Sequence, residues 1–410
     1  MKKSLKIIPI LLVLALAAVT LLFGCEPVPE EEPDDRRLLR AEGNDLVNED
    51  GEVVLLKAIN AGGLFVQEGW MCPTLLTDTE GVGVPDHTTM LEVLESRFGY
   101  DGMRALIDIY ESNFWKEADF DNVKALGFNA IRLPFAYFNL ENEAGELTEF
   151  TRMDWFIDEC DKRDIYVILD LHGAYGSQNG QDHSGDVSGA GLYSDTENMD
   201  KTVALWETVA ARYASRDIIA GYDLLNEPEG EWGYTNVVQW AFYDKLYEAV
   251  RAVDPNHVLI MESVWEARDL PVPSMYPFEW ENVCYSYHNY CWDGVYDFDV
   301  QKAFVDNKLA SYEALSYEVP KFIGEFSCFA LTDAWEYTLN AYAGAGISYA
   351  IWTYKTTGNL AHVGWSAYLK LTPDSEKADV ENDSYDEIAA KWSVIGTENF
   401  RKTAIYEEFI

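Results

Sequence analysis

Two glutamates occupy similar places nearly a hundred residues apart. Glu227 closes the apolar run "IAGYDLLN" and is followed at once by Pro228, and Glu325 sits at the end of "KFIGEF". An apolar run that stops on a carboxylate places it at the edge of a covered sheet. Two carboxylates facing each other across a cleft can split a glycosidic bond, one protonating the departing oxygen while the other attacks the carbon. That division of labour needs one protonated and one ionised group, so their surroundings must hold their pKa values apart. Arg132, in "FNAIRLP", would favour the charged form of one of them. Glu229 and Glu231, just past the proline, read as solvated loop acids.

The two acids can meet only if the fold brings strand ends together. Short apolar runs recur at 53–61, 128–134, 165–172, 219–226, 257–262, 282–288, 321–326 and 348–354. They are apolar on both faces, as strands in a parallel sheet covered by helices should be. Amphipathic stretches lie between them. "WKEADFDNVKALG" puts Phe120, Val123 and Leu126 on one stripe and stops at Gly127. "TNVVQWAFYDKLYEAVRAVDP" and "DAWEYTLNAYAGAG" read the same way. Eight strands alternating with helices predict an α/β fold, a (β/α)8 barrel forming a single catalytic domain over 41–410. No G-x-G-x-x-G follows the first strand, which argues against a doubly wound dinucleotide fold. The stretch 64–114 reads as a loop insertion over the barrel mouth with one short helix near "TMLEVLESRFG". Sites on such barrels form at the C-terminal strand ends. There this chain has Arg132, His172, Asn226, Glu227, His288 with Tyr290 beyond it, Glu325 and Trp352.

The formal charge of −41 excludes nucleic acid and anionic lipid as natural partners. Aromatic residues make up 14% of the chain, with 13 Trp, enough to line a sugar site as well as a core. Apart from Cys25 there are five cysteines and no C-x-x-C, so a structural zinc is not expected; Cys160 and Cys284 read as packed apolar residues. His87, His257 and His362 fall in no motif and read as structural. The N-terminus has Lys2, Lys3 and Lys6, then an apolar run from Ile7 to Phe23, and is read as a secretory signal over 1–25. Leu22-Phe23-Gly24-Cys25 resembles a bacterial lipoprotein box, which would make Cys25 the lipidated residue. Residues 26–40, acidic and Pro-rich at their start, are expected to be a tether. The expectation is a secreted, monomeric, cell-surface lipoprotein that meets the membrane only through its lipid.

Taken together, "GFNAIRLPF", "ILDLHGAYGSQNG", "LLNEP", "SYHNY", "IGEF" and the late Trp352 resemble glycoside hydrolase family 5, in that family's order across 53–354. The resemblance implies a retaining barrel enzyme that needs no metal or other cofactor. Glu227 would be the general acid/base and Glu325 the nucleophile. Asn226 would bond the sugar 2-hydroxyl, Arg132 and Tyr290 would orient Glu325, His172 and His288 would line the reacting-sugar subsite, and Trp352 would be its stacking floor. "NAGGLFVQEGW" and "DLHGAYGSQNGQDHSG" are similar to the exo-β-1,3-glucanase branch, which implies that Glu68 binds outer hydroxyls of a terminal glucose. Tyr175, Leu64 and Gln181 depart from that branch, with Trp292 the aromatic that would serve in place of Gln181. The substrate expected is a β-glucan or β-glucoside, with endo-β-1,4-glucanase or mixed-linkage action as the alternative. A metal-dependent barrel hydrolase is disfavoured by the absence of H-x-H and H-E-x-x-H spacing. A non-catalytic glycan-binding barrel is disfavoured by the presence of both glutamates.

Overall fold

Eight short parallel strands close on themselves in the computed structural model, which describes residues 37–76, 83–229, 236–263, 266 and 269–409. Cys25, most of the tether and Glu231 lie outside these residues. An N-terminal hairpin, β1 (Arg40–Glu42) and β2 (Asp45–Val47), precedes the barrel. The barrel strands are β3 (Lys57–Asn60), β4 (Ala130–Ala136), β5 (Tyr166–Gly173), β6 (Ile219–Asp223), β7 (Val258–Glu262), β8 (Val283–Tyr290), β9 (Lys321–Ser327) and β10 (Ser348–Ile351). They pair in chain order, and β10 closes onto β3. The eight expected runs are these eight strands. The first is shorter than expected, because Val53 bridges Val47 of the hairpin instead of joining the barrel.

Side chains alternate along a strand, so residues two apart share a face. Inward positions run from apolar at the bottom to ionisable at the top: Ala130 then Arg132, Ile168 then Asp170 and His172, Ile260 then Glu262, Cys284 then Ser286 and His288. The lower residues form a buried cluster with Leu39 and Leu46, so the hairpin packs onto the barrel interior. Residues 37–40 therefore belong to the folded domain and not to the stretch expected as a tether. Arg37 pairs with Asp161 and Asp217, each at 2.8 Å, and Leu39 is buried. The register between β8 and β9 slips at Gly324, where Tyr287 faces Ile323 but His288 faces Glu325. A bulge of this kind re-aims the next side chain, and it brings Glu325 onto the same face as Phe322. A Cβ on Gly324 would lie 2.7 Å from Ser286 Oγ and 3.0 Å from His288 Nε2, so glycine is what lets β9 approach β8 here.

The helices are α1 (His87–Phe114), α2 (Glu117–Ala125), α3 (Tyr137–Leu140), α4 (Thr151–Asp161), α5 (Thr196–Tyr213), α6 (Asn236–Val253), α7 (Phe298–Glu313), α8 (Thr332–Gly344) and α9 (Tyr385–Trp392). Phe120, Val123 and Leu126 are buried as their spacing predicts. The reading of 64–114 needs correction. Its second half is α1, 28 residues long, bent where Gly99 takes φ 76°. The bend splits the apolar periodicity, which is why only a short helix was legible. Tyr110 packs against Trp392 and Phe98 against Tyr385, which ties α1 to α9. The Asp86 cap of α1 also accepts from Val187 N at 2.8 Å, anchoring the loop that follows β5. A small sheet of β11 (Lys355–Gly358), β12 (Tyr368–Leu371) and β13 (Arg401–Lys402) follows the barrel. Its strands are too short and too polar to have been read from the sequence. Among the described residues no helix is long and apolar enough to cross a membrane.

Candidate active site

Arg132, fully buried on β4, organises the floor of the site. Its Nη1 donates to Glu325 Oε1 at 3.0 Å and its Nη2 to Asn226 Oδ1 at 2.9 Å. Tyr290 donates its hydroxyl to the other Glu325 oxygen at 2.7 Å. Both oxygens of Glu325 thus accept from donors that fix the carboxylate plane. With its Oδ1 taken by Arg132, Asn226 keeps a buried Nδ2 with no protein partner at the pocket wall, a donor available to a ligand.

Glu227 lies just beyond β6 with φ 42°, in the left-handed region that non-glycine residues seldom adopt. The loop after β5 holds this turn. Gln178 Nε2 donates to the carbonyls of His172 and Asn226, both at 2.8 Å, and Asn179 Nδ2 donates to the carbonyl of Glu227 at 3.1 Å. The Glu227 carboxylate lies between two imidazoles, its Oε1 2.7 Å from His288 Nδ1 and its Oε2 3.1 Å from His183 Nε2. Donor atoms of Glu227, His288 and Glu325 all lie within 4.8 Å of one another.

Burial alone would push the Glu227 carboxyl up, but His183 and His288 outweigh it and hold it down at about 2. Burial alone would pull His288 down, but Glu262, Glu325 and Glu227 raise it to about 9. The contact thus favours the ionised carboxyl of Glu227 and the protonated ring of His288, each stabilising the charge of the other. As an imidazolium, His288 also makes this cluster better suited to a shared proton than to a metal ion.

His172 Nδ1 lies 2.7 Å from Asp170 Oδ2, and its ring stacks on Trp352 at 5.4 Å and 2°. Glu68 reaches the same pocket, of about 500 Å³, and accepts from Trp70 Nε1 at 2.7 Å. Burial, with the charge of Asp182 adding, holds its carboxyl well above the ordinary range. Trp70, Trp365, Trp292 and Tyr290 form one wall, with neighbouring ring centroids 5.4–5.8 Å apart, and Trp292 is 59% exposed at the rim. Away from the pocket, His87 accepts from Gln67 N at 2.9 Å and His257 pairs with Asp254 at 2.6 Å. The five described cysteines are buried and free.

All of the barrel-rim residues read from the sequence, and Glu68, come together here. Gln178, Asn179, His183, Trp70, Trp365 and Glu262 were missed. Three of them lie in the quoted stretch "GSQNGQDHSG", and Glu262 closes β7 at the end of the apolar run "HVLIME".

Residues 95–358 match the family description Cellulase (glycosyl hydrolase family 5). The chain belongs to glycosyl hydrolase family 5. The family 5 match spans Arg132, His172, Glu227, His288, Glu325 and Trp352, while Glu68, Trp70 and Trp365 lie outside it. Among curated relatives, this glycoside hydrolase is 32% identical over 257 residues to a beta-xylosidase of Phanerodontia chrysosporium, covering 62% of this chain and 52% of that one. It is 28% identical over 326 residues to a probable glucan 1,3-beta-glucosidase A of Aspergillus niger, covering 75% of each. Among solved structures, the rutinosidase from Aspergillus niger superposes with a TM-score of 0.59 at 15% identity, covering 80% of this chain and 92% of that one. That likeness speaks to the barrel fold.

Proposed function

We propose that this family 5 enzyme releases glucose from the non-reducing end of a β-1,3-glucan or related β-glucoside with net retention, using Glu325 as nucleophile and Glu227 as acid/base. The observation that carries the reading is the pair of carboxylates with oxygens within 4.8 Å of each other, close to the spacing of about 5–5.5 Å that leaves room for a covalent intermediate but not for an intervening water. In the first step Glu325 bonds to the anomeric carbon, the glycosidic C–O bond breaks, and the leaving oxygen takes a proton through Glu227. In the second step water attacks that carbon, the ester bond to Glu325 breaks, and the water's proton returns to the Glu227–His288 pair. In this reading Asn226 Nδ2 bonds the sugar 2-hydroxyl, Trp352 stacks beneath the ring, and Glu68 binds its outer hydroxyls. The glucan 1,3-beta-glucosidase relatives support the choice of linkage.

The test is a product profile on laminarin, lichenan and carboxymethylcellulose, with NMR of the first anomer formed. Glucose alone from laminarin, released as the β-anomer, is expected. An inverted first product would remove the mechanism. A second reading, endo-action on a β-1,4-glucan, is favoured by exposed Trp292, which extends the aromatic wall beyond one sugar; oligosaccharides from the cellulose derivative would select it. The same proposal places the enzyme outside a bacterial cell as a monomer, tethered through a lipid on Cys25. Palmitate labelling lost in Cys25→Ala tests the anchor.

A further inference from the structure

The floor of the site holds one carboxylate that the mechanism above does not use. Glu262 ends β7 and is fully buried. Neither of its side-chain oxygens accepts a hydrogen bond within the protein. Arg132 does not serve it. The guanidinium has five N–H donors, and its three nitrogens already face Asp223, Asn60, Glu325, Asn226 and Asp170 at 2.9–3.2 Å. Glu262 is left at 3.8 Å from Arg132 Nη2. The nearest cationic group is His288, whose Nε2 lies 3.2 Å from Glu262 Oε1. The other nitrogen of that ring, Nδ1, is 2.7 Å from Glu227 Oε1. One imidazole therefore spans two carboxylates, one at the pocket wall and one below it.

We propose that Glu262 is a positioning residue for proton transfer. Its carboxylate stands in ionic contact beneath the His288 ring, 3.2 Å from Nε2, so that Nδ1 presents its proton to Glu227. This rests on the glycosidase reading of Glu227. When the leaving oxygen takes the proton of Glu227, the proton on Nδ1 crosses to Glu227 Oε1. The imidazole's positive charge is lost at that moment, and Glu262 is the group that favours its restoration when water delivers a proton in the second step. The balance needs no further reactant, because the proton lent in the first step returns in the second.

The groups facing His288 come from several strands. Glu325 of β9 is 3.5 Å from Nδ1. Asp170 of β5 and Asp223 of β6 feel its charge from farther off. Arg132, 3.8 Å from the same Glu262, is a fixed positive charge that opposes another on the ring. Glu262, Glu325 and Glu227 all favour the protonated ring.

The test compares kcat/KM against pH for wild type, Glu262→Gln and Glu262→Asp on a laminari-oligosaccharide. The basic limb of Glu262→Gln should move down by about 1–2 pH units, the effect of losing one close opposite charge. Glu262→Asp should restore most of it. A basic limb that stays in place in Glu262→Gln overturns the proposal, as does one that moves equally in both variants. If Glu262→Gln does not fold, ¹⁵N titration of the wild-type histidines, with His288 assigned through His288→Asn, replaces it. An imidazole protonated to above pH 8 is expected, and an ordinary titration near 6.5 overturns the proposal. That titration does not depend on turnover, so a wild type that hydrolyses no glycoside would overturn the glycosidase reading while the link between Glu262 and His288 is still judged separately.

Discussion

His288 Nδ1 and Glu227 Oε1 stand 2.7 Å apart at the centre of the site, where each favours the charged form of the other. With Glu227 held at about 2 and His288 at about 9, the pair carries one proton throughout the range between. Acid catalysis should therefore persist well into the alkaline range. The expected kcat/KM profile falls only as pH rises through about 9. A fall centred near 6.5, the ordinary value for an imidazole, would show that the carboxylates around His288 do not hold its proton.

The two glutamates should fail in different ways when removed. Glu325→Ala should abolish turnover, and azide or formate should partly restore it by occupying the vacated space. Glu227→Ala should lose about 10²–10⁴ in kcat on natural glucan, the usual worth of a general acid or base. It should lose much less in the first step on aryl glucosides, whose leaving groups need no proton. If both variants respond alike to the leaving group, the roles assigned here are wrong.

Stability should fall on the alkaline side of neutrality. Asp170, Asp223 and Glu111 are each pushed up to about 7, and Glu68 well above the ordinary range, in every case chiefly by burial. The folded state then holds protons that the unfolded chain has released, so stability declines as pH rises through 7. The stabilisation from His288 has the same sign, being complete below 6.5 and lost as pH rises through about 9. His87 and His172, lowered by burial, act oppositely, but only below 6.5. Calorimetry should find a lower Tm at pH 8 than at pH 6. An equal or higher Tm would contradict this balance.

Glu68→Gln tests the closed end of the pocket. Its carboxyl is nearly buried, bonded to Trp70, and lines the pocket. Losing such a bond costs about 1–3 kcal/mol, roughly tenfold or more in kcat/KM. Chain-end cleavage should suffer and internal cleavage should change little. If kcat/KM on laminari-oligosaccharides stays within about twofold, Glu68 only supports its loop through Trp70 and the site is an open groove.

The residues by themselves determined the barrel and much of its rim. Apolar runs of strand length alternating with amphipathic helices admit few folds, and a run that ends on a polar residue puts that residue at the sheet edge. This was enough to bring Arg132, His172, Asn226, Glu227, His288, Glu325 and Trp352 into one place. The same rule applied to "HVLIME" points to Glu262, which no family motif brought into view. The sequence did not show α1, because Gly99 breaks its period, nor the grip of Gln178 and Asn179 on the Glu227 turn. Loop residues such as these have no periodicity to betray their partners. Only the tertiary structure decided which carboxylate pairs with which cation, and so where the proton rests. Charge interactions depend on distance and burial, and those are set by a strand bulge at Gly324 and by loops from distant parts of the chain, not by spacing along it.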